Sequence, residues 1–339
     1  MTSPRDESRV DTTLHDACRL GNFDKVRQLL FEGRVDINSR HRGRTPVMKA
    51  AYKGHKDVMD LLVSNGSDVT LVDGDGNNIL HVACLGGHVN IVKYVLKKDF
   101  VGVNSRGHDG RTPLMVAARN GHKEVFDLLV RKGCDVSLVD DEGNSILHLA
   151  CIGRHMTIVK DILSHDIVDV NSRGQRGRTP LMLAAMKGHN EVFDLLVNKG
   201  SVVALVDDDG NNILHLACLG RNVKIVNFVV SKNIVDVNSR GEDGRTPVML
   251  AAMNGHRDVM DLLVSSGGSV GLEDNHGNNI LHVACIGGLL EMVKYVLSHD
   301  IADINSRGQR GMTPAMLASC FEHEDVFHLL VSKGGRKDM

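Results

Sequence analysis

The sequence predicts an all-α repeat solenoid with β-hairpin tips, built from ten stacked helix-turn-helix units. Two recurring segments and their spacing carry that prediction. Arg-Thr-Pro-Leu-Met-Leu-Ala-Ala and close variants recur with their Thr at 45, 112, 179, 246 and 313. Asn-Ile-Leu-His-Leu-Ala-Cys and close variants start at Asn78, Ser145, Asn212 and Asn279. The two series interleave at 33 or 34 residues within a 67-residue period, and Thr12-Thr13-Leu14-His15-Asp16-Ala17-Cys18 opens them. Units therefore start near 12, 45, 78, 112, 145, 179, 212, 246, 279 and 313. The solenoid is expected over 12–335, between a polar tail at 1–11 and a short one at 336–339. A unit this small has an apolar face too large to hide by itself, so neighbours must stack to bury it.

The unit at 179–211 shows the elements in order. Thr179 is placed as a helix N-cap and Pro180 as the first helical residue, where a missing N–H costs nothing. Leu181, Leu183, Ala184 and Ala185 give that helix an inward face, and Gly188 ends it. A second helix carries Val192, Phe193, Leu195, Leu196 and Val197 at helical spacing, closed by Gly200 in the left-handed conformation. The stretch 203–212 then reads as a short extended arm reversing through Asp209-Gly210.

These motifs resemble the ankyrin-repeat family, whose Thr-Pro-Leu-His-x-Ala signature is matched in halves by alternate units. Even units keep Thr-Pro but replace His by Met48, Met115, Met182, Met249 and Met316. Odd units keep His15, His81, His148, His215 and His282, with Asn or Ser at the cap from Asn78 onward. They also close their second helix with Asp99, Asp166, Asn233 or Asp300 in place of Gly, residues that tolerate positive φ. The resemblance covers 12 to about 335 and implies a protein-binding scaffold in place of an enzyme. So little sequence flanks the array that no appended catalytic module is expected.

Composition supports a soluble scaffold. Lys and Arg number 40 against 42 Asp and Glu, a net charge of −2, which removes charge-driven nucleic-acid binding as a default. No apolar run approaches the ~18 residues of a membrane span, so no membrane insertion is expected. The start lacks a signal-peptide core, so the cytoplasm or the nucleus is the expected location.

Several catalytic patterns arise by chance. Gly267-Gly268-Ser269-Val270-Gly271 fits a hydrolase elbow, but that motif needs a strand before it and a helix after it. His323 and His328 are five residues apart where a zinc-binding helix needs four. Asp207-Asp208-Asp209-Gly210 lacks the later Gly and Glu of a calcium loop. Cys84, Cys151, Cys218 and Cys285 recur two units apart, too far for a shared metal or a disulfide, and read as small core residues; Cys134 and Cys320 lie off that row as candidates for exposure. No enzyme, metal or cofactor is expected.

The resemblance places a partner on the concave side, at the two residues after the Ala-Ala of each first helix. The row is Leu20 beside Arg19, Tyr52 and Lys53, Leu85 and Gly86, Arg119 and Asn120, Ile152 and Gly153, Met186 and Lys187, Leu219 and Gly220, Met253 and Asn254, Ile286 and Gly287, then Phe321 beside Cys320. An apolar residue in every other unit would suit a peptide segment or a folded domain with spaced anchors; alternatively Leu85, Ile152, Leu219 and Ile286 tuck inward. The chain is expected to be monomeric. Tips entering even units carry Arg44, Arg111, Arg178 and Arg245, those entering odd units Asp73, Asp140, Asp207 and Asp274, which reads as a solvated ladder of ion pairs worth about 0–1 kcal/mol each. Around Asn38, Asn171 and Asn305 the pattern Leu, five residues, Asp, Val or Ile, Asn looks like the family's asparaginyl hydroxylation site; the other reading is a turn-stabilising Asn. A pure structural spacer is the remaining alternative.

Overall fold

The computed structural model describes residues 13–165 and 168–337. Thr12, Asp166 and the tail at 1–11, all named above, lie outside the described residues. The chain divides into two compact bodies, Met1–Asp169 and Val170–Met339.

In the N-terminal body the helices run as pairs: α1 (13–20) with α2 (Phe23–Phe31), α3 (Pro46–Lys53) with α4 (Lys56–Ser64), α5 (Ile79–Gly86) with α6 (Val89–Lys98), α7 (Pro113–Asn120) with α8 (Lys123–Arg131), and α9 (Ile146–Ile152) with α10 (Met156–Ser164). The C-terminal body repeats the plan: α11 (Pro180–Lys187) with α12 (Asn190–Asn198), α13 (Ile213–Leu219) with α14 (Val223–Ser231), α15 (Pro247–Met253) with α16 (Arg257–Ser265), α17 (Ile280–Ile286) with α18 (Leu290–Ser298), and α19 (Pro314–Cys320) with α20 (Glu324–Ser332).

First and second helices bury themselves differently. In α5 every residue from Ile79 to Cys84 is buried, because the helix has α3 on one side, α7 on the other and α6 behind it. In α6 only Ile91, Val92 and Val95 are buried, a single stripe with solvent opposite. The Ala-Ala or Ala-Cys pair allows the first helices to approach closely, while the second helices supply the bulk: Phe193 is the largest fully buried side chain among the described residues.

Turn chemistry fixes the joints. Asp99 (φ 53°), Asn233 (φ 48°) and Asp300 (φ 52°) all take the left-handed conformation after the second helix, as their residue types predict. The tips entering even repeats reverse through two consecutive left-handed residues, Asp109 (φ 54°) then Gly110 (φ 68°), with the Arg111 N–H donating to His108 O at 3.1 Å. That is the type I′ turn whose twist suits a tight reversal. The expected β-hairpin arms stay too short for a ladder. Only isolated antiparallel bridges, His41 with Arg44 and Val206 with Asn212, occur among the described residues.

Candidate functional site

The row of residues expected to meet a partner sits at the C-terminal ends of the first helices. Its even-repeat members Lys53, Arg119, Asn120, Lys187 and Asn254 are exposed, with Tyr52, Met186 and Met253 half-buried beside them. Leu20 and Phe321 stand out at 65% and 47% exposure. Leu85, Ile152, Leu219 and Ile286 are half-buried, so neither reading of them holds fully: each covers the joint and keeps one edge in solvent. Their glycine neighbours are structural. A Cβ on Gly86 would run into the main-chain oxygen of Tyr52, and one on Gly287 into that of Met253. These glycines let the preceding first helix end directly against them.

Two adjoining cavities lie between this row and the tips in the N-terminal body. One, of about 410 Å³, is lined by Arg19, His41, Arg42, Arg44, Lys49, Tyr52, Lys53, Asp73 and Asp75 among others. The second, of about 360 Å³, is lined by Arg44, Asp75, Asn77, Leu85, His108, Arg111, Val116, Arg119 and Asn120. Arg44 and Asp75 border both, so the two cavities lie side by side along one groove. Tyr52 lines the first cavity, with the Arg44 guanidinium 5.1 Å and the Lys53 ammonium 5.3 Å from the ring centre.

The tips depart from the expected solvated ladder. Asp207 is buried: its Oδ1 accepts the N–H groups of Asp209 at 3.1 Å and Asn211 at 2.8 Å, and its Oδ2 meets Arg178 Nε at 3.0 Å. Asp73, Asp140 and Asp274 are also buried and face Arg44 and Arg111 at 3.4 Å and Arg245 at 3.8 Å, the last an ion pair beyond hydrogen-bond reach. One carboxylate thus shapes its own turn and tethers the arginine of the preceding tip, so it is a structural joint and not a weak surface pair. The exposed layer outside it does match the expectation, as where Arg176 bridges Asp209 at 2.8 Å and Glu242 at 2.9 Å.

Histidines supply two further seams. Nε2 of His81 lies 2.9 Å from Arg111 O, and Nε2 of His215 lies 3.2 Å from both Ser239 O and Arg245 O, so the ring N–H donates to the next tip. Burial pushes the His215 imidazole down to about 4, and burial with Lys49 and His41 nearby pushes His15 down to about 4. A second set was missed as a seam: His55, His122, His155 and His323, at the starts of second helices, point Nε2 back at Arg19 O, Leu85 O, Arg119 O and Ile286 O at 3.0–3.2 Å. Its signal was present in the sequence, as a histidine following the helix-ending glycine at Gly54-His55 and Gly121-His122.

The arm asparagines all bond across to the next arm. Asn38 Oδ1 accepts the Asp68 N–H at 2.8 Å, Asn171 that of Val202 at 2.8 Å and Asn305 that of Arg336 at 2.7 Å, and Asn104 and Asn238 do the same to Asp135 and Ser269. Cys134 corrects the expectation of exposure. It is buried, its Sγ faces Val103 O at 3.8 Å, and burial pushes its thiol up to about 12; Cys320 is exposed. Cys84, Cys151, Cys218 and Cys285 are buried as core residues. Ser269, in the hydrolase-like Gly-x-Ser-x-Gly stretch, follows a helix and donates its N–H to Asn238. Among the described residues no helix is long and apolar enough to cross a membrane.

A family model described as ankyrin repeats (3 copies) matches residues 3–73, 61–140, 132–207, 199–274 and 248–339. The human transient receptor potential cation channel subfamily A member 1 is 29% identical over 316 residues, 80% of this chain and 28% of that protein. The ankyrin repeat and KH domain-containing protein mask-1 of Caenorhabditis elegans is 29% identical over 287 residues, 75% of this chain and 11% of that protein. The solved human ASB11 ankyrin repeat domain aligns with a TM-score of 0.52 at 26% identity, covering 64% of this chain and 92% of that one. The chain spans about a third or less of the length of these curated relatives. Ten in-register signatures, the paired helices and turn-built tips, and a family match running nearly end to end agree: this chain belongs to the ankyrin-repeat family.

Proposed function

We propose that this chain is a non-enzymatic adaptor that binds a protein segment along the concave face formed by its tips and first helices, working as a monomer in the cytoplasm or nucleus. The observation that carries this reading is the groove in the N-terminal body. Two adjoining cavities bring Tyr52, Lys53, Leu85, Arg119 and Asn120 together with the tip arginines Arg44 and Arg111. Half-buried Leu85 supplies an apolar anchor point, and its flanking cations and amides supply polar partners for a backbone. In the C-terminal body Met186, Lys187, Leu219, Met253, Asn254, Ile286 and Phe321 present the same mixture.

The test is affinity capture with the variant Lys53→Glu, Asn120→Glu, Lys187→Glu, Asn254→Glu against the control Lys93→Glu, Lys160→Glu, whose exposed residues lie on second helices. Partner recovery should fall at least tenfold for the first and stay unchanged for the second. Equal loss or equal retention in both would remove the groove reading, and capture of nothing specific by the wild type would favour the spacer. Asn38, Asn171 and Asn305 remain proposed hydroxylation positions. Intact mass after co-expression with an asparaginyl hydroxylase should then show added oxygen, and an unchanged mass would refute it.

A further inference from the structure

The groove of the N-terminal body is not uniform along its length. The first cavity, of about 410 Å³, gathers Arg19, Arg42, Arg44, Lys49 and Lys53 around Tyr52. Its counterpart 67 residues on has Asp109 at the position of Arg42, Val116 at that of Lys49 and Asn120 at that of Lys53. Lys49 stands alone in the series: Val116, Leu183, Leu250 and Leu317 hold that place in the other even repeats. An aliphatic residue is what the half-buried site favours, so the ammonium there is a departure that packing does not ask for. Lys49 Nζ is held 2.8 Å from His41 Nδ1, and the buried His15 ring lies 5.5 Å from that of His41, with a buried Nδ1 that has no partner. Burial, with Arg42, Arg19 and Arg44 close by, lowers the Lys49 ammonium from its usual range, while Asp16 acts against this.

The carboxylates near the cavity do not cancel this charge. Arg19 is paired with Asp16, and Arg44 with Asp73, whose side chain is 2% exposed and already accepts the N–H groups of Asp75 and Asn77. Arg42 and Lys53 pair with no carboxylate among the described residues. Asp75 at the rim is the one further acidic side chain lining the cavity. Cations converge from the tip (Arg42, Arg44) and from the first helix of the repeat (Lys49, Lys53), so donors surround the space from more than one side. A planar carboxylate offers two oxygens in one plane, whereas a phosphate monoester offers three oxygens and close to two charges.

We propose that this cavity at the second repeat is a docking site for a phosphorylated side chain, carried by the protein segment that the groove binds. The proposal rests on the groove reading above and adds the chemistry of the partner. Arg42, Lys49 and Lys53 donate to the phosphate, Tyr52 packs against the adjoining side chain, and the second cavity, which keeps Arg44, Arg111 and Arg119 but has no counterpart of Arg42, Lys49 or Lys53, takes the residues that follow.

The test is calorimetric titration of the whole chain at low salt with Ac-Ala-Ala-phosphoserine-Ala-Ala-NH2, its Ser and Glu counterparts, and inorganic phosphate. The phosphopeptide should bind at least tenfold tighter than the other three. Lys49→Leu, which installs the residue of repeats six, eight and ten, should abolish that preference with a melting temperature no lower than the wild type's, and Arg42→Ala should weaken it. The proposal is overturned if phosphorylated and Ser peptides bind alike, if none binds, if Lys49→Leu leaves the preference intact, or if inorganic phosphate binds as well as the peptide. An unphosphorylated peptide selected by display on the chain and lost on Arg119→Glu would leave the groove reading standing while the phosphate pocket falls.

Discussion

The repeats that begin with Asn or Ser and carry His differ from those that begin with Thr-Pro and carry Met in where their polar atoms point. In the Met repeats from Thr112 onward the Thr side chain caps its own helix: Thr179 Oγ1 accepts the Met182 N–H at 3.4 Å, and the Thr179 N–H meets Met182 Sδ at 3.5 Å. In the His type the start of the helix reaches outward. Asn212 Oδ1 caps Leu214 and His215, Asn212 Nδ2 donates to Ser239 Oγ at 2.7 Å, and His215 donates to two carbonyls of the next tip. The Met repeats make their own link to the next repeat through the arginine that meets a buried Asp, as Arg178 does at Asp207. Joints thus alternate between neutral hydrogen bonds and buried ion pairs. The 67-residue period is this alternation written in sequence, and the two joint chemistries should fail under different conditions.

The largest expected effect is at the ionic joint. Asp207→Ala removes the acceptor of two turn amides and leaves Arg178 half-paired, at an expected cost of about 3–5 kcal/mol by urea denaturation; a cost under about 1 kcal/mol would return the tips to the solvated ladder. The His joint should answer to acid. With its folded pKa down at about 4 against 6.5, the unfolded state binds a proton that the folded state refuses, so stability is full above pH 6.5 and falls as pH drops towards 4. Between pH 7 and 5 His215 alone should cost about 2 kcal/mol, and His215→Met should flatten that slope. A slope unchanged by the substitution would place the acid sensitivity elsewhere.

Smaller effects are expected at the glycine beside the binding row and at a helix end that lacks one. Gly86→Ala, a helical position where Ala ordinarily gains about 1 kcal/mol, should instead cost about 1–2 kcal/mol through its clash with the Tyr52 carbonyl. A gain would mean the neighbouring helix end yields freely. The smallest change expected is at Arg221, which holds φ 52° at a position that is Gly54, Gly87 or Gly121 in other repeats. Arg221→Gly should add about 1 kcal/mol by removing that strain, read as a higher denaturation midpoint.

Much of the fold was legible because repetition averages out local ambiguity. Thr-Pro starts, Ala-Ala contacts and Gly or Asp ends each occur several times at fixed spacing, and α3 to α20 lie where that spacing puts them. The arms were less legible, since whether two or three extended residues pair as strands depends on neighbours beyond the repeat. Burial of Asp73, Asp140, Asp207 and Asp274 was hidden for a related reason: an acidic tip reads as solvated until the preceding tip closes over it. The candidate site was legible as a row of positions but not as a groove. Lys49 went unnoticed because it sits three residues before that row, on a face every other even repeat fills with an aliphatic side chain.

The central claim is that the surface between tips and first helices, and not the second-helix surface, meets a protein partner. Photo-crosslinking from a benzoylphenylalanine placed at Tyr52, at Arg119 or at Lys93 in the native cell tests it most directly. The groove account predicts the same partner crosslinked from 52 and 119 and none from 93; a partner crosslinked from 93 and from neither groove position would contradict it.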